Sequence, residues 1–393
     1  MKRTLLGLLT LFQLHPAIAQ KKPAVPDTNP YAAIDKKALA IPESQTHSTR
    51  DIAGYITANF TNQEDQVRAA FIWVSSNLQY DLANMFAINF NESKQDKIEK
   101  ALRTRKGICE NYAGIFVDIC NKAGIKAYEV DGFTRQNGFT DYIPHAWCAA
   151  LVNNEWKLYD PTWGSGYVNN KKFYKKLNNF YYQTAPANLI KSHMPFDYMW
   201  ELLPYPVSAT DFQNGKIKLD KSNPYFSYAD TIRNYETLTR EQQLNAEAAR
   251  VEANGLSNGM VFDHLQHIKM ELQNESVAHA NLASANFNDA VSAYNDFINY
   301  RNKQFTPAKP DVEILDMLNA VGTSLQTAQK ELKLAAHNPG NNGTFIAQIM
   351  RSIDDLDVRY AEQREWLAKY MSKGKSARRS MFYKTTWFGV PLN

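Results

Sequence analysis

The stretch from His145 to Asp160 constrains this chain most, because two runs of strand character, HAWCAALV and EWKLYD, are separated only by Asn153-Asn154. A two-residue turn between such runs predicts an antiparallel hairpin. Pairing in that sense carries the end of the second run back to the start of the first. His145 and Asp160 are therefore expected at the same end of a sheet.

Upstream, RKGICENY runs from Arg105 to Tyr112 and sets Cys109 just behind a glycine. Ala113, Phe116, Val117, Cys120 and Ala123 follow at helical spacing and stop at Gly124, so Cys109 is predicted in the first turn of a helix. Unpaired N–H groups and the helix dipole favour negative charge there. A thiol at that place, an imidazole to take its proton and a carboxylate to fix the ring's tautomer make Cys109, His145 and Asp160 a candidate catalytic set. Backbone donors at the helix start would face a developing oxyanion. As isolated letters the three residues are ordinary; the helix-start cysteine together with the paired strand ends is what raises them.

The other segments read as scaffold. A short helix is expected between Gln45 and Phe60, capped near Thr46 or Ser48, and a core-facing helix from Gln63 to Leu78 with Trp73 as a core aromatic. Ile125 to Val130 reads as a strand and Asp131 to Pro144 as a polar loop. Lys171 to Tyr182 reads as a surface excursion. His193 reads as a loop or edge residue and not as a catalytic one. Tyr112, Trp147 and Trp163 line a cleft or fill the core. Cys120 and Cys148 fall in apolar patterns and are expected to be buried.

From Ser227 onward Ala, Asn, Glu, Gln and Leu dominate, and helices are expected near 227–253, 259–303, 311–337 and 344–371. Their apolar stripes predict an antiparallel α-helical bundle. The resulting layout is a signal peptide (1–19), a leader (20–45), an α+β domain (46–215), the helical bundle (227–376) and a tail (377–393) in which Phe382, Trp387 and Phe388 are expected to pack back. The basic start, apolar run and small-residue end of residues 1–19 predict export, to a periplasmic or extracellular place. A net charge of +4 without a basic stripe argues against nucleic acid. No later segment is apolar enough for a membrane span. Neither a calcium loop nor paired zinc-binding cysteines can be read, so no cofactor and no metal are expected.

KGICENYA, AGIKAYEVDGF, HAW and EWKLYDPTW, with WVSSNLQYD before them and His193-Met194-Pro195 after, resemble the transglutaminase-like superfamily in its bacterial secreted form, over about residues 46–215. The resemblance implies a papain-like core in which Cys109 is the nucleophile, His145 the base and Asp160 its acidic partner. It implies attack on protein or peptide carboxamides, with a thioester resolved by an amine or by water. A cysteine protease with the same triad and a non-catalytic peptide-binding or envelope module are the alternatives. The helical domain offers a surface for an unidentified protein partner.

Overall fold

The computed structural model describes residues 29–86 and 92–383, and the backbone of 386–387 and 390–391. The expected signal peptide and the tail side chains of Trp387 and Phe388 lie outside the described residues. Helices around the site begin on a repeated local device. Ser48, Asn62 and Ser93 each accept a hydrogen bond from the N–H of an aspartate three residues on, opening α1 (Thr49–Asn59), α2 (Gln63–Asn77) and α3 (Lys94–Thr104). The central helix α2 is buried over Val67 to Ser75, including Trp73. α4 (Cys109–Lys122) starts at the cysteine and is followed by Gly124 at φ 81°. Part of the stretch expected as leader is a short helix, Ala32–Ala38, whose Asp35 is bound by Arg68 Nε at 2.7 Å.

Four antiparallel strands form the sheet: β1 (Ala127–Gln136), β2 (Phe139–Val152), β3 (Glu155–Tyr159) and β4 (His193–Pro195), in the order β3-β2-β1-β4. The expected hairpin is present, with Asn153 and Asn154 both at positive φ and Cys148 opposite Tyr159. The expected polar loop at Asp131 to Pro144 is instead strand on both sides of a second turn. That turn is Asn137-Gly138, at φ 50° and 86°, the dipeptide that most favours such a turn. The polar composition of this hairpin reflects an exposed outer reach and not an absence of pairing.

The fold is α+β, with long helices after the sheet: α5 (Arg240–Asn254), α6 (Gly259–Asn302), α7 (Asp311–Ala335) and α8 (Gly343–Met371). The helix expected over 227–253 is two helices, because Thr239 and Gln242 form a reciprocal capping box that starts α5 afresh. α6 serves two cores. Val261, Leu265, Ile268 and Leu272 pack with Phe133, Met194 and Phe196 of the sheet, whereas Ala280 to Tyr300 pack with α7 and α8. Among the described residues no helix is long and apolar enough to cross a membrane.

Candidate active site

Three strands and one helix start bring the site together. Gly132 of β1 lies opposite His145 of β2 on one side and Pro195 of β4 on the other, and Thr134 lies opposite His193. Directly paired residues share a face, so His145 and His193 stand on one face on either side of β1. They lean together across Gly132, with ring centroids 5.5 Å apart. A Cβ on Gly132 would lie 2.2 Å from the Met194 carbonyl oxygen and 2.5 Å from the Trp147 ring. The glycine is therefore a condition for the two histidines to meet. Asp160 leaves the end of β3 on the other side, one residue beyond the pairing of Tyr159 with Cys148.

Asp160 is fully buried and all of its acceptor capacity is used. Oδ1 accepts from the N–H groups of Thr162 at 2.8 Å and Trp163 at 3.0 Å, and Oδ2 accepts from His145 Nε2 at 2.8 Å and His193 Nε2 at 3.0 Å. A carboxylate only accepts, so both imidazoles carry hydrogen on Nε2. Burial opposes the Asp160 charge, but His145 and His193 together hold the carboxyl below the usual range. Burial also opposes charge on His145; the Asp160 carboxylate first and the Cys109 side chain after it outweigh that cost and push the pKa up to about 10. His193 goes the other way, lowered first by burial, so it is neutral. Its Nδ1 then accepts from Ser192 Oγ at 2.8 Å. Trp163 and Trp147 pack around the pair, at 4.5 and 5.2 Å from the His193 ring.

The cluster of donor atoms within 4.8 Å of one another is His145, Asp160 and His193. Around a tetrahedral metal with bonds of ~2.0–2.1 Å, ligand atoms sit ~3.3 Å apart. The two separations here are hydrogen-bond lengths, and the set is a hydrogen-bonded one.

This arrangement corrects two expectations. Cysteine-dependent acyl transfer or hydrolysis through a Cys109–His145–Asp160 triad, and the alternatives written around that triad, presuppose a carboxylate dedicated to one imidazole. The converging cluster instead contains two imidazoles and no cysteine. Cys109, 9% exposed at the head of α4, touches His145 and lies outside the cluster. The second correction concerns His193, expected as a loop or edge residue with no part in the site: it is an edge residue, on strand β4, but it is 1% exposed and bonded to Asp160. Its strand is three residues long and contains a proline, too short for an alternating pattern to reveal. Tyr80 was also missed. Its hydroxyl pKa is raised first by burial and then by electrostatic interaction with Cys109 and Asp160. The remaining thiols, Cys120 and Cys148, are buried and unpaired, and Cys148 Sγ donates to the Ala113 carbonyl at 3.7 Å.

Residues 50–161 match the model of the transglutaminase-like superfamily, and this part of the chain has that superfamily's fold. Similar proteins include the kyphoscoliosis peptidase of Homo sapiens, 36% identical over 158 residues, which cover 38% of this chain and 23% of that one. The Mus musculus protein of the same name is 32% identical over 201 residues, 46% of this chain and 29% of the relative. Hillarin of Drosophila melanogaster is 21% identical, covering 46% and 24%. The chain thus spans about a quarter of the length of the curated relatives it matches. Among solved structures, the periplasmic domain of TgpA from Pseudomonas aeruginosa is 21% identical over 33% of this chain and 47% of its own, with a TM-score of 0.25.

Proposed function

We propose that the protein is an enzyme of the transglutaminase-like or peptidase kind that acts on protein or peptide chains, with the hydrogen-bonded cluster of His145, Asp160 and His193 at the centre of its site and Cys109 among the residues beside it. The supporting observation is the shared Asp160 carboxylate, which keeps His145 in one tautomer and favours its charged form. In this reading His145 is the acid–base group and Cys109 is the side chain with which the ring exchanges a proton. His193 stays neutral and holds the second lone pair of Asp160 Oδ2, so that the acid cannot turn away from His145. The name peptidase, borne by relatives up to 36% identical, supports a peptide chain as substrate.

Alkylation of Cys109 by iodoacetamide, followed by mass spectrometry in the intact chain and in His145→Ala, tests the reading. Faster alkylation at Cys109 than at Cys120 and Cys148, slowed about a hundredfold or more in His145→Ala, is the expected result. Equal rates in the two proteins would sink it. Export through residues 1–19 belongs to the same reading, and the mass of the mature chain should correspond to a start at Gln20.

A further inference from the structure

Strand β4 is an odd support for a site residue. It has three residues, one of them Pro195, and pairs with β1 alone, at the edge of the sheet. A strand this short, with a residue that cannot donate, is poorly held by its ladder. Yet it must hold His193 Nε2 within 3.0 Å of Asp160.

The hold comes from the far side. Alternation along the strand points His193 and Pro195 toward the site and Met194 and Phe196 away from it. Met194 and Phe196 enter a core with Leu244, Ala248 and Val251 of α5 and Leu265 of α6. The Phe196 ring stacks on His264 of α6, centroids 4.3 Å apart and planes 20° from parallel. His264 is in turn bonded to Glu247 of α5 at 2.9 Å. One residue further, Asp197 receives both Nε and Nη2 of Arg250 at 2.7 Å, in a pair whose side chains are 4% and 12% exposed. A forked, nearly dry pair fixes direction as well as distance.

We infer that α5 and α6 are part of the site's support, with Arg250 a positioning residue that acts through Asp197 and β4 to keep His193 on Asp160. This rests on the reading of the site given above. The helices thereby gain a share in the chemistry without touching any reacting atom. A displacement of α5 against the sheet would loosen His193 first, because the polar contacts just before α5, from Lys126 Nζ and Tyr128 Oη to Glu236 at 2.6 and 3.2 Å, lead to the opposite end of β1.

Two readouts on the full chain test the inference: the nitrogen-bound ring proton of His193 in the NMR spectrum, and the pH profile of Cys109 alkylation by iodoacetamide. Arg250→Met should broaden or remove the ring signal and slow alkylation by about tenfold to a hundredfold, with a displaced profile. Arg250→Lys, which keeps the charge, should restore part of both. Lys126→Ala should leave both unchanged. If Arg250→Met does not fold, Phe196→Leu removes the stack at nearly constant apolar volume and carries the same comparison. An unaltered ring signal and profile in a variant whose melting temperature has fallen would make Arg250 merely structural and overturn the inference, as would equal effects from Lys126→Ala. Alkylation independent of His145 would instead sink the site reading, while the ring signal would still report on Arg250.

Discussion

Asp160 carries two imidazoles on one oxygen, and the consequences at the level of single side chains differ between them. His193→Ala leaves a buried carboxylate short of one donor, a loss of about 1–3 kcal/mol in stability that urea unfolding would measure. His145 has a folded pKa raised from 6.5 to about 10, so its pairing stabilises the fold fully below the unfolded value and is lost as pH rises through the folded one. Thermal melts between about pH 6.5 and 10 should decline over that window, and His145→Gln should flatten the decline. Glu201 offers a second case of the same sign. Burial, aided by the Asp197 charge, raises its carboxyl well above the ordinary value, and Oε2 accepts from the Val207 N–H while Oε1 has no partner. Stability should therefore drop as pH rises through the folded pKa of Glu201, and Glu201→Gln should abolish that part of the drop.

At the level of strands and helices, Gly132 is the most demanding position. Gly132→Ala would drive a methyl group into the Met194 backbone and the Trp147 ring, and should cost at least about 1–3 kcal/mol, with faster hydrogen exchange along β1 and β4. Nothing in the residues around Gly132 announces that role, since the crowding comes from Trp147 and Met194 on neighbouring strands. Local signals were legible where the physics is local. The periodic stripe that ends at Gly124 located α4, the Asn153-Asn154 turn located the β2–β3 hairpin, and the cap expected near Thr46 or Ser48 located the start of α1, at Ser48. Asn137-Gly138 was equally local and was masked by the polar residues around it. The meeting of His193 with Asp160 was not legible, because 33 residues separate them and β4 is too short for periodicity. The meeting of His145 with Asp160 could be anticipated from the hairpin, but the second imidazole on the acid could not.

Over the molecule as a whole, burial of charge ties distant segments together. Arg68 is fully buried in α2, bonded to Asp35 and lying over the rings of Tyr31 and Tyr182 at 4.3 and 4.8 Å. Arg68→Met would strand Asp35 and is expected to cost about 3–5 kcal/mol, read as a lower urea midpoint. The 44-residue helix α6, about 66 Å long at 1.5 Å per residue, has a different kind of consequence. Because its first turns finish the core that holds Phe133, Met194 and Phe196, the sheet of this chain relies on that helix to cover part of its apolar surface. A chain ended before Ser227 would turn that apolar face to water, and its fate should be aggregation, visible by light scattering, where the full chain stays dispersed.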